Sequence, residues 1–449
     1  MTSSAAASQV MPASPFEQAQ LEQAKNLAQS GRVADAEILL RDLLRRNPGL
    51  LEGQAILGSL LFQRGRFDEA AAVYAVCMAL NPVISAFPFN LGTALEKTGD
   101  VNGAVEAYVA AWRLDPKNPH VALFAGAALE AAGRHEDAAA MFSLGDDRDP
   151  FVRGGKDDPR LHAEMRNRSR TADRVMREHF TRLHAASVEA SARVIETETG
   201  RAPDLARVQS AVWPMTHDRA VAYRTPKQAP SVFYMPDLPA QPVTPTDRLA
   251  WAGAVEAAAA DIRAEYRAAV ENGAPFAPYV HGDIKADAWK DLSGKLDWSS
   301  LHLYREARLT PIAQHFPKTL KALEAADIPR VADGAAIEMF FSRLKPGAHI
   351  PPHYGCANNR ITVHLPLIIP SDCAIRVGDD LHEWTEGKLF AFDDSYEHEA
   401  WNRSGEDRVV LIFESHHPDL TADERIAVER AYDDRGGWVA TRAERFARA

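Results

Sequence analysis

Cysteine is nearly absent: the 449-residue chain holds three, Cys77, Cys356 and Cys373, and no two form a C-x-x-C pair. A disulfide-stapled scaffold and a four-cysteine zinc site are therefore excluded, and a reducing, cytoplasmic compartment is expected. An excess of positive charge is missing too. Lys and Arg number 51 against 62 Asp and Glu, a formal net charge of -11, which argues against a nucleic-acid partner. No run of about 18 apolar residues occurs, so no membrane-spanning helix and no membrane partner are expected. The first residues have neither a basic region nor a sustained apolar run, so residues 1–14 read as a disordered tail and not as a signal peptide. Phosphate-loop, dinucleotide, zincin and nucleophile-elbow motifs are missing. The remaining composition, 46% hydrophobic and 25% charged, is that of a globular protein with ample core material. At about 150 residues per domain it allows two to three domains.

The first third is periodic. Gly31, Gly65, Gly99 and Gly133 are spaced by 34 residues, as are Pro48, Pro82, Pro116 and Pro150, each preceded by Asn or Asp. The same step links Ala36, Ala70, Ala104 and Ala138, and again Ala24, Gly58, Gly92 and Gly126. The physics of the columns predicts helix pairs. A glycine in the left-handed conformation ends each first helix, and an Asx-Pro pair closes each second one. Small residues at the Ala24 and Ala36 columns let helices approach closely, and Leu57, Leu61, Phe67 and Tyr74 fill the seam. The pattern resembles the tetratricopeptide repeat over residues 15–150. That resemblance implies an α-solenoid whose concave face binds a peptide or protein; dimerisation or bracing of the next domain is the alternative.

Four repeats over 15–152 are followed by a helical linker or cap at 153–208. From Arg153 to Arg182 nine Lys or Arg stand against five Asp or Glu. A nucleic-acid arm is one reading of this excess, and a solvated helix capping the array is the other. Beyond the proline-rich stretch near Pro236–Pro242, an alanine-rich segment predicts one helix from Thr246 to Asn272.

From Ala336 the period becomes two. Ile361, Val363, Leu365, Leu367 and Ile369 alternate with Arg360, Thr362, His364, Pro366 and Ile368, the signature of a strand. Further strands near Ile337–Leu344, Lys388–Phe392 and Arg408–Glu414 suggest a jelly-roll domain at 209–420, with a C-terminal helix at 421–449. Polar residues inside such a barrel need a reason. His353 precedes the alternating strand, His398 lies 45 residues later, and Arg408 follows ten residues after that. Two histidines on separate strands and an arginine close behind suit an iron site that also holds a dicarboxylate.

The segments F-S-R-L-K-P-G-A-H-I-P-P-H-Y-G, N-N-R-I-T-V-H-L-P-L and F-D-D-S-Y-E-H-E-A-W-N, with Arg408 following, resemble the aspartyl/asparaginyl β-hydroxylase family. D-W-S at Asp297–Ser299 and F-Y-M-P-D-L-P-A at Phe233–Ala240 extend the resemblance to about residues 209–420. It implies a double-stranded β-helix and an Fe(II)- and 2-oxoglutarate-dependent dioxygenase, with oxygen as co-substrate. The implied acceptor is Cβ of Asp or Asn in a peptide or protein bound partly by the repeats. His353 and His398 match the metal ligands. Ser342 and Arg408 match the pair holding the far carboxylate of 2-oxoglutarate, His364 contacts its near carboxylate, and Trp298 walls the pocket. Asn358 and Arg360 match a substrate-facing segment.

This chain departs from the family pattern at Thr362, where the peptide hydroxylase has a second arginine, and at His416, where W-H-P has an aromatic residue. Gly355 stands where the general two-histidine-one-carboxylate triad has its acid. Three readings follow: a two-histidine oxygenase with water completing the coordination, a chloride-binding halogenase-like site, or an inactive site. His349, His382, His416 and His417 are expected to be structural, Asp393 and Asp394 to shape the turn before His398, and Cys356 to pack. Rival functions are the same chemistry on a small molecule or acyl chain, and a non-catalytic repeat adaptor.

Overall fold

Each period of the repeat folds into a helix pair in the computed structural model, which describes residues 12–282, 287–330 and 337–447. Residues 1–11 of the expected tail lie outside the described residues, and Ser14 caps the first helix, accepting from the Glu17 amide while the Glu17 carboxylate takes the Ser14 N–H. The helices are α1 Pro15–Gln29, α2 Val33–Arg46, α3 Leu51–Gln63, α4 Phe67–Leu80, α5 Ala86–Thr98, α6 Val101–Leu114, α7 Pro119–Ala131 and α8 His135–Asp146. Gly31, Gly65, Gly99 and Gly133 all have φ between 71° and 87°, the left-handed turn expected of them. The small-residue column shows a size match. A Cβ on Gly58, Gly92 or Gly126 would come within 2.8, 2.8 and 2.5 Å of the rings of Tyr74, Tyr108 and Phe142. In the first repeat the ring is replaced by Leu40 and the glycine by Ala24, and both are fully buried.

The chain divides into two compact units, residues 1–180 with 437–449, and residues 181–436. The boundary falls within the long helix α9, Ala163–Thr199. Its basic residues meet acids of the last repeats: Arg168 pairs with Glu96 at 2.8 Å and Arg174 with Glu130 at 2.8 Å. Arg168 also lies 4.1 Å over the Phe124 ring. That pairing favours the capping reading over a nucleic-acid arm. The expected C-terminal helix is also divided. Residues from Gly437 onward belong to the repeat unit, where Arg445 meets Asp137 at 2.8 Å and Phe446 packs edge-on against Trp112.

The second unit is built on strands β1 Trp298–Arg305, β2 Met339–Leu344, β3 His349–His353, β4 Arg360–Ile368, β5 Cys373–Val377, β6 Asp380–Glu383, β7 Phe390–Phe392, β8 His398–Asn402 and β9 Arg408–His416. An eight-stranded antiparallel sheet has the central order β7-β4-β9-β2-β1, with short two-residue strands completing its edges. The second sheet, β3-β8-β5-β6, has four strands. Antiparallel sheets of this kind, with an apolar layer between them, are consistent with the jelly-roll expectation.

The alternation read in β4 has a direct structural meaning. Ile361, Val363, Leu365 and Leu367 are all fully buried in a core shared with α10 Ala252–Ala257, α11 Ala259–Glu271 and α12 Pro317–Leu323. At roughly 1.5–3 kcal/mol per large side chain, this layer fixes the register of the sheet. Thr362 and His364 consequently point to the other side, between the sheets.

The single helix expected over Thr246–Asn272 is interrupted: Thr246–Arg248 is a 3-10 turn, and α10 and α11 are separated at Ala258. Each half is docked to a different partner. Glu256 accepts from the Leu389 amide at 2.9 Å, while Glu265 accepts from the Thr319 amide at 2.9 Å. Tertiary anchoring overrides alanine's helix propensity here.

Candidate active site

A cavity of about 470 Å³ opens between the two sheets. Its geometry follows from strand register. On β8 and β3, His398 and His353 are directly opposed partners, and their ring centroids are 4.1 Å apart. The Nδ1 of His353 donates to the Pro351 carbonyl at 2.8 Å, and that of His398 to the Tyr396 carbonyl at 3.0 Å. These bonds fix one tautomer and leave the lone pair on Nε2 of each neutral ring. Burial holds the His353 ring below its ordinary pKa; burial and the neighbouring His353 push His398 down to about 3. Both rings therefore stay neutral, as metal ligands must.

The large sheet supplies the facing wall in rows. Arg408 stands at the start of β9 opposite Leu344 of β2, and Trp298 of β1 is also a partner of Leu344. One row on, Ser342 lies opposite Val410, and its Oγ accepts a hydrogen bond from Trp298 Nε1 at 3.0 Å. In the next row Ile412 lies between Phe340 and His364. Glu414 then opposes Thr362, and Glu338 immediately precedes β2 beside them.

The inner end is cationic and unsatisfied. Arg408 is 1% exposed, its Nε and Nη1 have no hydrogen-bond partner, and burial pulls its pKa down to about 10. It lies 4.9 Å over the Trp384 ring. His364 is buried with Nδ1 unpartnered, and burial with Arg408 nearby holds it well below the ordinary histidine range. A buried guanidinium with two orphan donors costs stability unless an anion meets it.

Six residues named from the sequence therefore share this cavity: His353, His398, Trp298, Ser342, His364 and Arg408. Two do not line it. Asn358 is 2% exposed and spends both ends of its amide on Met235, accepting from the backbone N–H at 2.8 Å and donating to the carbonyl at 2.9 Å. The substrate-facing expectation for Asn358 is therefore corrected to a structural one. Arg360 is likewise engaged, donating to Glu414 at 2.6 Å and lying 4.8 Å over the Tyr432 ring. Burial opposes its charge, but Glu414 outweighs that and keeps it ionised.

Asp394 departs from its expected role in the turn. Asp393 does shape that turn, accepting from the Ser395 amide at 3.0 Å and from Gln228 Nε2 at 2.8 Å. Asp394 instead lines the cavity, where it accepts from Thr362 Oγ1 at 3.1 Å. Burial, then repulsion from Glu414, pushes its carboxyl up to about 8. A Cβ on Gly355 would fall 2.1 Å from Asp394 Cγ, so the glycine is the space this carboxyl occupies. Sequence reasoning also missed Glu338, Tyr279, Trp289 and Glu414. For Glu414 the signal was present: it shares the period-two face of Arg408.

Among the described residues, no group of three or more His, Cys, Asp or Glu is arranged to hold a metal. His353 and His398 supply two imidazole donors, a donor type that suits iron.

Comparison with known proteins agrees with this architecture. The family model described as aspartyl/asparaginyl beta-hydroxylase matches residues 256–418, and tetratricopeptide repeat models match residues 21–80 and 95–163. The human protein named aspartyl/asparaginyl beta-hydroxylase is 36% identical over 138 residues, 30% of this chain and 18% of that protein. An ornithine lipid ester-linked acyl 2-hydroxylase of Rhizobium tropici is 33% identical over 175 residues, 38% of this chain and 59% of that protein. The matched region is thus well short of the full length of either relative. A solved structure titled MamA MSR-1 C2 aligns at 24% identity and a TM-score of 0.28, covering 30% of this chain and 77% of that one. The C-terminal part of the chain carries a domain of the aspartyl/asparaginyl β-hydroxylase family, and tetratricopeptide repeats make up its N-terminal part.

Proposed function

We propose that this protein is an Fe(II)- and 2-oxoglutarate-dependent dioxygenase that hydroxylates an unactivated carbon of a peptide or protein. The observation that carries the reading is the buried, unpartnered guanidinium of Arg408 in the same cavity as two opposed, neutral histidines. His353 and His398 would hold the iron. When bound, iron and 2-oxoglutarate supply the oxidising chemistry: oxygen and 2-oxoglutarate are consumed, succinate and carbon dioxide are released, and a C–H bond becomes C–OH.

The chain's own residues bind and position. Arg408 satisfies its orphan donors on the far carboxylate of 2-oxoglutarate, a charge-assisted contact in a dry site. Ser342 is held by Trp298 Nε1 and turns its own hydroxyl proton to the same carboxylate. His364 faces the near carboxylate. Ile350, Ile375, Phe392 and Ile412 make the wall apolar and keep water from the reacting centre. Asp394 stands in the space beside Gly355 that a third protein ligand's side chain would need, which favours water at the open position.

The resemblance points to Cβ of Asp or Asn as the acceptor, and the repeats are proposed to deliver it within a peptide. A cytoplasmic location is proposed from the three free thiols, Cys77, Cys356 and Cys373. No helix among the described residues is long and apolar enough to cross a membrane.

A second reading, hydroxylation of an acyl chain, is favoured by the apolar cavity wall and by the similarity to the Rhizobium tropici protein named as an acyl 2-hydroxylase. Production of succinate from 2-oxoglutarate, stimulated by peptide and abolished in His353→Ala and in His398→Ala, tests the first reading. Stimulation by fatty acyl chains alone would favour the second.

A further inference from the structure

The cavity is lined by an arginine in one part and by acidic side chains in another. Arg408 and Glu414 lie on the same face of β9, six residues or roughly 20 Å apart along the strand. Arg408 is the one Lys or Arg among the described residues lining the cavity, and it sits at the inner end. Glu338, Glu414 and Asp394 also line the cavity, and because burial pushes the Asp394 carboxyl up to about 8, Glu338 and Glu414 are its ionised acids. Arg360, which does not line the cavity, is tied to Glu414 at 2.6 Å and lies 4.8 Å over the Tyr432 ring. Glu338 bonds His302 Nε2 at 2.8 Å and keeps 39% of its side chain exposed. Thr362, between Glu414 and Asp394, offers only a hydroxyl.

Aromatic rings line the same cavity. Tyr279 stacks on Trp298 at 4.1 Å and on Phe340 at 5.1 Å, and Trp289 completes the stack 6.2 Å from Trp298. Carboxylates beside aromatic faces attract a cation through both charge and ring quadrupole, and repel a carboxylate. An incoming aspartate would meet Glu338, and among the described residues lining the cavity there is no Lys or Arg besides Arg408 to balance it.

We infer that the acid-lined part of the cavity selects a cationic substrate group, an ammonium or guanidinium on a lysine- or arginine-type side chain, and rejects a carboxylate. Glu338, Glu414 and Thr362 are the specificity-determining residues. The inference rests on the oxygenase reading only for what then happens to that side chain; recognition itself does not require turnover.

The test uses full-length protein with Fe(II) and 2-oxoglutarate under anaerobic conditions. Isothermal titration calorimetry compares lysine, arginine and aspartate, each acetylated at the amine and methylamidated at the carboxyl. The lysine or arginine derivative is expected to bind about tenfold or more tightly than the aspartate derivative, the scale of a cation–π contact joined to a carboxylate. Glu338→Gln, a half-exposed site that tolerates the change, should erase most of that preference. Thr362→Arg should invert it, with circular dichroism checking that each variant folds. Equal or tighter binding of the aspartate derivative overturns the inference, as does no saturable binding of either cationic probe at millimolar concentration. The iron–cosubstrate absorption band is read on the same samples. A missing band defeats the oxygenase reading, whereas a band without cation preference defeats only this inference.

Discussion

The carboxyl of Asp394 occupies the space that a side chain at Gly355 would need: an added Cβ would lie 2.1 Å from Asp394 Cγ and 2.2–2.3 Å from its oxygens. The missing acid two residues after His353 is therefore not a vacancy awaiting a carboxylate. It is filled by the Asp394 carboxyl, arriving from the turn before His398.

Restoring the general triad should consequently fail. Gly355→Asp is expected to lose the iron–2-oxoglutarate absorption band and turnover, and Gly355→Ala to be impaired in the same direction. Combining Gly355→Asp with Asp394→Gly removes the collision and should recover iron binding. Full activity in the Gly355→Asp single variant would contradict the packing argument.

Arg408 should be a liability to the protein alone and an asset with 2-oxoglutarate. Replacing it with Met removes two unpartnered buried donors, so stability without ligand should hold or rise by about 1–3 kcal/mol. The stabilisation that 2-oxoglutarate gives the wild type in thermal melts should vanish in Arg408→Met. A ligand-induced shift of wild-type size in the variant would remove Arg408 from the anchoring role.

His416 shows how a departure in sequence becomes a structural contact. It bridges Asp327 at 2.9 Å and Glu429 at 3.1 Å. Burial alone would depress its pKa, but these two carboxylates outweigh burial and raise it above 6.5. The bridge therefore stabilises the fold fully below the unfolded value, and that contribution is lost as pH rises through the folded value. His416→Phe should lower the melting temperature more at pH 6 than at pH 9. A deficit that is constant across this range, or that grows with pH, would show that the charge on His416 is not what the bridge uses.

The ring-against-glycine column of the repeats predicts a compensating pair. Gly126→Ala places a Cβ 2.5 Å from Phe142 and should cost about 1–3 kcal/mol, while adding Phe142→Leu recreates the Ala24–Leu40 arrangement and should recover part of it. Urea denaturation of both singles and the double measures the interaction energy. Strict additivity would contradict direct contact.

These cases separate what was legible in the sequence from what was not. Strict periodicity made the helix pairs and β4 readable, because a 34-residue step and a two-residue alternation each express one packing surface repeated. His353, His398 and Arg408 were readable because polar groups inside a barrel have few other reasons to be there. Asp394 was not, since its role depends on a glycine 39 positions away whose emptiness only the fold reveals. Asn358 misled because a buried amide satisfied by the Met235 backbone looks, in sequence, like one awaiting a substrate. The interruption at Ala258 and the division of the C-terminal helix arise from tertiary anchoring, which local propensity does not encode.

The most direct test of the proposed function is an anaerobic titration of the full-length protein with Fe(II) and 2-oxoglutarate, following the visible charge-transfer band in wild type and in His353→Ala. The opposed histidines and the unpartnered Arg408 predict a saturable band in wild type and none in the variant. A correctly folded wild type without the band, or a variant that retains it, would contradict the assignment.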